Sequence, residues 1–377
     1  MSNQRDKAEP QTASDPLRPT LQYMAEQSGM SVTTISRVLS GQGERYRISK
    51  QTETMVHELA RKFNFVPDRP ARELRLKKTL TIGLVVPDLS NPFFAAIARE
   101  VTFGSRKQGY SLYLCVSQDT TELEVQQLAV LKSRSVAGVV LCPVGQSSRH
   151  LEEFVQARYP IVLVDRFFPD LPLPYVSSDN VSAARRATEL LIAHGHSRVA
   201  CLQGVRGTST NEFRICGYKE ALAAHQLPIE EDLIVGDSFS VQSGYIGTQL
   251  LLTREPGVKA ILALSNLNAL GAIRALAEER LKIPEDISLV SFDDTPFCAY
   301  LRPPLTTVVQ QSSSMGEVAV KLLFDQIQSP GCQAKGGVLL PATLVIRQSV
   351  GRVIPPRSTS HGQDHKVDLP RMPSSAL

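Results

Sequence analysis

The 377-residue sequence predicts an α/β protein with a small helical domain near its N-terminus and a larger body built on parallel sheets. Two observations predict this organisation. Residues 20–40 have the pattern of two short helices joined by a tight turn. From Leu80 onward, short apolar runs alternate with amphipathic stretches, which is typical of parallel sheets covered by helices on both faces.

The stretch TLQYMAEQSGMSVTTISRVLS carries the signals of a helix-turn-helix. Thr20 is placed to cap the first helix, and Gly29 is placed to end it because glycine tolerates the left-handed backbone of a helix end. Ser31 is placed to cap the second helix through its hydroxyl. The apolar stripe of that helix, at spacings of three and four residues, is Ile35, Val38 and Leu39.

The opposite face of the second helix is polar or small. Its members are Val32, Thr33, Thr34, Ser36 and Arg37. Small side chains allow a helix end to approach base edges in a DNA major groove, and Arg37 has the donors to bind guanine O6 and N7. The alternative is a solvated helical hairpin that binds no DNA.

Charge is distributed unevenly along the chain, although the net charge is only +4. Residues 17–80 contain 12 Lys and Arg against 6 Asp and Glu, whereas residues 81–377 contain 27 against 28. A basic head on a near-neutral body suits binding of a polyanion by the head. A merely solvated basic face is the alternative.

The N-terminal part divides into three segments. Residues 1–18 are polar and predicted to be a disordered lead. Residues 19–66 form the predicted DNA-binding domain, in which Ser49 caps a third helix that runs to about Phe63. The loop before that helix contains Arg45, Tyr46 and Arg47, which we expect to touch phosphate or nothing.

Residues 67–79 form a basic segment that is either a short hinge helix, ordered only on DNA, or a plain linker. Residues 80–352 form the predicted α/β body, and residues 353–377 a disordered tail rich in Pro and Ser. The body has eight predicted strands, at 81–86, 111–116, 138–142, 161–165, 175–179, 198–203, 260–264 and 287–292. This number favours two lobes, with a ligand in the cleft where strands end.

Several classes of protein are disfavoured by missing motifs. The sequence has no phosphate loop of the P-loop type, no GxSxG elbow and no cluster of metal ligands, so we expect neither an enzyme nor a cofactor or metal.

The six cysteines form no CxxC pair and are expected to be buried and reduced. No apolar run has transmembrane length and no secretory segment is seen, so a cytoplasmic location is expected. A transport-type sugar receptor and an α/β-class sugar kinase or hydrolase are the rival interpretations.

Five motifs in order resemble the LacI/GalR family of bacterial transcription regulators. They are SVTTISRVLSG, FVPDRPARELR, TIGLVVPDLSNPFF, SFDDTPF and LRPPLTTVVQ, and the resemblance spans roughly residues 20–352. The GERYRIS loop is similar to that of the fructose-repressor branch. The resemblance implies a homodimer that binds a palindromic operator, most often as a repressor. It also implies that residues 80–352 are an effector-binding and dimerisation domain, with two lobes of the periplasmic-binding-protein type and control by a small-molecule effector such as a sugar.

The resemblance also implies roles for individual residues. In the head, Ser31 would cap the recognition helix, Val32, Thr33 and Arg37 would face bases, and Thr34 and Ser36 would lie nearer phosphate. Leu74 would enter the minor groove, with Pro70 departing from the usual small aliphatic residue. Effector-binding positions would be Asn91, Phe93, Phe94, Asp165, Arg214, Phe239, Asn266, Asp293 and Gln310.

These side chains suit a polyol, because carboxylates accept bonds from hydroxyl groups and an arginine binds two oxygens at once. Other interpretations remain open from the residues alone. The three phenylalanines are typical of a core, and Arg214 with Asp165 is compatible with an ordinary salt bridge. Asp293 and Asp294 should point in opposite directions, which argues against shared acid/base work.

Overall fold

The computed structural model describes residues 19–65, 79–329 and 336–353. The chain divides into two compact units, Met1–Thr79 and Leu80–Leu377, which we call the head and the body. The predictions for the lead, for the hinge with Pro70 and Leu74, and for the tail beyond Val353 lie outside the described residues.

The head contains the three predicted helices. They are α1 (Leu21–Ser28), α2 (Val32–Leu39) and α3 (Lys50–Lys62). The predicted caps are confirmed, because Thr20 Oγ1 accepts the backbone N–H of Tyr23 at 3.1 Å and Ser31 Oγ accepts that of Thr34 at 3.0 Å. Gly29 ends α1 with a φ of 68°. The buried centre of the head is Met24, Ile35, Val38 and Val56.

Lobe 1 of the body is a six-stranded sheet whose paired strands all run parallel. Its strands, in chain order, are β1 (Thr81–Val86), β2 (Ser111–Val116), β3 (Gly138–Leu141), β4 (Ile161–Val164), β5 (Tyr175–Ser178) and β11 (Gly337–Leu340). One face packs on α4 (Pro92–Lys107) and α11 (Ser312–Gln328), and the other on α5 (Thr121–Ser133) and α6 (Glu152–Gln156). Side chains of the inner strands alternate between these two cores, so those strands are buried on both faces.

Lobe 2 repeats this arrangement. Its strands are β6 (Val199–Leu202), β7 (Ile234–Val235), β8 (Ala260–Ala263), β9 (Ser288–Phe292), β10 (Thr306–Val309) and β12 (Thr343–Val345). One face packs on α7 (Asn180–Ala193) and α8 (Ser209–Ala224), and the other on α9 (Val241–Arg254) and α10 (Asn266–Glu278). The β10–β12 pair is antiparallel and the remaining pairs are parallel.

The two sheets have the same strand order, β11-β5-β4-β3-β1-β2 in lobe 1 and β12-β10-β9-β8-β6-β7 in lobe 2. Strands β4 and β9 are therefore equivalent, as are β1 and β6. The chain changes lobe after β5, after β10 and after β11, so three segments connect the lobes. The prediction of a two-lobed α/β body is confirmed.

All eight predicted strands are present, most of them one or two residues shorter than predicted. The strands β7, β10, β11 and β12 were not predicted. Strand β7 has only two residues, and β11 has exposed residues alternating with half-buried ones, so neither forms a continuous apolar run in the sequence.

The cysteine prediction is confirmed for Cys115, Cys142, Cys201 and Cys298, which are buried and free. Cys216 is an exception, because it lies on the exposed side of α8. Among the described residues, no group of three or more His, Cys, Asp or Glu is placed to hold a metal ion. In the same part of the chain, no helix combines the length and apolar character that a membrane span requires.

Candidate DNA-binding surface and effector cleft

The outward face of α2 presents small and polar groups. The Val32 side chain is 41% exposed, and Ser31 and Thr33 are exposed beside it. The Ser31 hydroxyl serves as the N-cap and also lies 2.8 Å from Thr34 Oγ1. The N-terminal turn of α2 is therefore exposed on the surface of the head, as its position in a helix-turn-helix requires.

Arg37 lies one turn further along α2, and its guanidinium contacts the aromatic ring of Tyr46. Its Cζ atom is 3.8 Å from the centroid of the Tyr46 ring, within the range of a cation–π contact. Tyr46 belongs to the loop between α2 and α3, which forms a short 3₁₀ turn, Glu44–Tyr46. The contact joins a helix to the loop that follows it, and sequence periodicity carries no signal for it.

Two buried aspartates mark equivalent points of the two lobes. Asp165 directly follows β4, and Asp293 directly follows β9. Each has a left-handed backbone, with φ of 69° and 65° respectively, a conformation that is uncommon outside glycine and favours Asn and Asp among the others. Non-glycine residues with a left-handed backbone recur at binding sites, where the surrounding structure holds this strained conformation in place.

Arg214 of α8 is buried close to both aspartates but is bonded elsewhere. Its Nε donates to Asn180 Oδ1 at 2.7 Å, and its Nη1 donates to the Leu264 carbonyl at 2.6 Å. The guanidinium also lies over the Phe292 ring, with 4.2 Å between Cζ and the centroid. Among the ion pairs of the described residues, none joins Arg214 to Asp165, so the simple salt bridge is not formed.

Burial dominates the electrostatics of this site. It raises the pKa of Asp165 from 3.8 to about 6; the charges of Arg214 and Arg166 oppose this rise, and Asp293 adds to it. Burial also lowers the pKa of Arg214, against the opposing effects of Asp293 and Asp165. The site thus holds charged groups that are incompletely solvated, as expected where a polar ligand replaces water.

Four buried polar atoms at the cleft have no hydrogen-bond partner in the described protein. They are Asp165 Oδ1, Arg166 Nε, Gln203 Nε2 and Thr210 Oγ1. The first two follow β4 in lobe 1, and the other two follow β6 in lobe 2. Unsatisfied buried polar groups are rare in proteins and call for a partner, here a ligand or water. Arg166, Gln203 and Thr210 were not among the predicted site residues. Arg166 and Gln203 stand just after the ends of β4 and β6, which was the available signal, whereas Thr210 lies in the first turn of α8.

Contacts between the lobes line the same region. Asn266 Nδ2 donates to Asn91 Oδ1 at 3.2 Å, and the Phe167 N–H donates to Ser209 Oγ at 2.9 Å. Both bonds join segments that follow strands of different lobes. The carboxyl ends of the two sheets therefore face one cleft, as predicted.

Gln310 lies in one of the three connections between the lobes. Its side-chain N–H donates to Asp293 Oδ1, and its Oε1 accepts the Ser178 hydroxyl at 2.7 Å. Asp294 points elsewhere, since its carboxylate pairs with Arg347 at 2.8 and 2.9 Å. The expected divergence of Asp293 and Asp294 is confirmed.

The three candidate phenylalanines occupy different environments. Phe94 is buried within the core of lobe 1, so its ring contributes to packing. Phe93 is partly buried, with its ring centroid 5.1 Å from that of Phe94. Phe239 is partly buried in lobe 2 and lies against Gly204, where a Cβ atom would approach the ring to 2.2 Å. Arg166 reaches Phe239 from lobe 1, with 5.3 Å between Cζ and the centroid.

A helix-turn-helix head joined to a two-lobed body with a polar cleft defines an allosteric DNA-binding regulator. Family comparisons agree with this class. Residues 20–68 match the family described as bacterial regulatory proteins, lacI family, and residues 79–344 match the periplasmic binding proteins and sugar binding domain of LacI family. The chain belongs to the LacI family of bacterial transcription regulators. Its regulator relatives and its head exclude the interpretations as a transport receptor or an enzyme.

Individual relatives cover nearly the whole chain. The transcriptional regulator DegA of Bacillus subtilis is 31% identical over 88% of this chain and 98% of its own length. The ribose operon repressor of Halalkalibacterium halodurans is 33% identical over 88% of this chain and 96% of its own length.

Solved structures show the same architecture. The lac repressor dimer bound to operator and an anti-inducer superposes with a TM-score of 0.77 at 28% identity, covering 89% of this chain and 99% of that one. The complex of the regulator CelR with cellobiose superposes with a TM-score of 0.67 at 30% identity, covering 88% and 100%.

Proposed function

We propose that this regulator represses transcription by binding a palindromic operator as a homodimer in the cytoplasm, and that a polyhydroxylated metabolite in the cleft controls that binding. Repression is supported by relatives described as repressors, and dimeric operator binding by the similarity to the lac repressor dimer on its operator. The effector class is supported by the family's sugar-binding domain.

On the DNA side, the proposal assigns reading of bases to the exposed face of α2. Val32, Thr33 and Arg37 contact base edges, while Thr34 and Ser36 lie nearer phosphate and Ser31 fixes the helix end. The exposure of the first turn and the capping bonds support this assignment. Leu74, outside the described residues, is proposed to enter the minor groove as an apolar wedge.

On the effector side, the observation that carries the proposal is the buried Asp165 carboxylate, which has an unpartnered oxygen next to Arg214. A carboxylate accepts hydrogen bonds from ligand hydroxyls, and Arg214 supplies donors to ligand oxygens. Asp293, Asn91, Asn266 and Gln310 complete the polar lining. Phe93, Phe94 and Phe239 provide an apolar surface in contact with, or directly behind, the ligand.

The test of this function has two parts. The purified full-length protein is used to select DNA from a random pool at a stated salt concentration, because affinities for DNA depend steeply on salt. Enrichment of one palindrome is expected. A thermal-shift screen of sugars, including ribose and cellobiose, then tests the cleft. Ligand binding without any enriched DNA would refute the regulator assignment.

A further inference from the structure

We propose that Tyr46 is a positioning residue for Arg37: its ring holds the guanidinium so that the N–H edge is presented to one base of the operator. The inference rests on the proposed base contact of Arg37. It assigns a role in sequence selectivity to the loop between α2 and α3.

The contact is close. Arg37 Cζ lies 3.8 Å from the Tyr46 centroid, whereas Arg45 Cζ lies 5.9 Å from the same ring. The Tyr46 side chain is 42% exposed and is not part of the head core, so its position is not explained by burial. Its main contact of defined geometry is the one with Arg37.

The loop that carries Tyr46 is anchored at both ends. The Gln42 N–H donates to the Arg37 carbonyl at 2.9 Å, which joins the loop to α2. The Ile48 N–H donates to the Gly43 carbonyl at 2.9 Å and closes the loop. Gly43 lies against Glu53 of α3, where a Cβ atom would come within 1.7 Å of the carboxylate. The ring is therefore presented from a fixed backbone.

The geometry of a cation–π contact leaves the guanidinium free for recognition. The Cζ atom at the centre of the guanidinium lies over the ring, whereas the five N–H donors lie at the periphery of the planar group. Within the described residues, no hydrogen bond occupies the side-chain donors of Arg37. An aromatic face on one side also removes rotamers that an unsupported arginine would sample, so the bidentate contact with guanine is pre-organised.

The experiment measures binding of the full-length protein to the operator selected from the random pool and to copies substituted at each position of one half-site. Variants are Tyr46→Phe, Tyr46→Leu, Arg37→Ala and the double variant Tyr46→Leu/Arg37→Ala. The quantity of interest is the ratio of affinities for the preferred base over the others at the position read by Arg37.

Tyr46→Leu should reduce that ratio by about two- to fivefold, the value of an exposed cation–π contact, while Tyr46→Phe should retain it. In the Arg37→Ala background, Tyr46→Leu should cause no further change in the ratio. Tyr23→Ala is the matched control, because Tyr23 is also 42% exposed but packs against Phe63, at 5.3 Å between ring centroids. It should leave the ratio unchanged.

Two results would overturn the inference, and they are distinguishable. If Arg37→Ala changes the base ratio but Tyr46→Leu does not, the positioning role is refuted and the base contact stands. If Arg37→Ala weakens all operators equally, the base contact itself is refuted, and the positioning role with it. A thermal melt of each variant shows whether the head is still folded, so that unfolding is not mistaken for either result.

Discussion

Asp165 and Asp293 occupy equivalent positions in the two lobes, each directly after a central strand and each with a left-handed backbone. The equivalence of the two positions follows from the strand order, which is the same in both sheets. It brings one carboxylate from each lobe to the same cleft, near the buried guanidinium of Arg214. A ligand that bonds both carboxylates would connect the lobes, which is how we expect effector binding to favour one relative arrangement of them.

Asp165→Asn should stabilise the unliganded protein at neutral pH. The folded pKa of Asp165 is about 6, raised from 3.8, so the folded state binds the proton more tightly than the unfolded state. The resulting stability is present below the unfolded pKa, falls as pH rises from about 4 to about 6, and is absent above. The gain for the variant at pH 7 is at most about 3 kcal/mol.

Urea unfolding at pH 4, 5, 6 and 7 measures this difference. The wild-type protein should lose stability across that range relative to Asp165→Asn, with the exposed Asp170→Asn as the control for removing one negative charge. A constant difference at all four pH values would contradict the assignment. Effector affinity should fall in the Asn variant despite its greater stability, because the carboxylate acceptor is lost.

Arg214→Met should remove effector binding and destabilise lobe 2. The substitution deletes bonds to Asn180 and to the Leu264 carbonyl, each of which is worth about 1.5–3 kcal/mol when one partner is charged. Calorimetric titration with the sugar found by screening and a thermal melt measure the two effects. Arg274→Met is the control, because that side chain is 59% exposed and pairs with Glu278 on the surface. Equal effects of both variants would refute a special role for Arg214.

Ile35→Ala and Val32→Ala should distinguish the buried face of α2, which stabilises the head, from the exposed face, which we propose contacts bases. Ile35 is fully buried, so its truncation should destabilise the head by about 2–5 kcal/mol and weaken binding to every DNA sequence. Val32 is exposed, so Val32→Ala should leave the melting temperature unchanged and alter base preference instead. Binding to a panel of operator variants measures base preference, and thermal melts in parallel measure stability. Unchanged preference in Val32→Ala would remove that residue from the reading surface.

Gly217→Ala should destabilise lobe 2, although alanine favours a helix over glycine by about 1 kcal/mol. Gly217 lets α7 and α8 approach closely, and a Cβ atom there would lie 2.1 Å from the Val181 carbonyl oxygen. Overpacking of this kind typically costs about 1–3 kcal/mol. Cys216→Ala, at an exposed position of the same helix, is the matched control in thermal unfolding. A stabilised Gly217→Ala would show that the helices separate easily.

Local signals made the head predictable. Capping by Thr20 and Ser31, the glycine at position 29 and the stripe of Ile35 and Val38 act within one or two helical turns, so the sequence displays them directly. The apolar strands of the body were predictable for the same reason, because strands buried on both faces appear as continuous runs.

The cleft was predictable only in part. Asp165 and Asp293 stand immediately after apolar runs, where ligand-binding residues of parallel sheets are expected. Arg166, Gln203 and Thr210 gain significance only when two lobes bring them together and leave their polar atoms without partners. The cation–π contact of Tyr46 with Arg37 similarly depends on how a loop folds back over a helix, which no periodicity encodes.

The most direct test of the account is the reciprocity of its two sites. Operator affinity is measured with and without a saturating sugar identified by screening, and sugar affinity is measured with and without operator. Allosteric coupling requires the same factor in both directions, typically about 5–150-fold or about 1–3 kcal/mol. Equal factors of this size would support a switch operated from the cleft. Sugar and operator that bind without any mutual effect would contradict it.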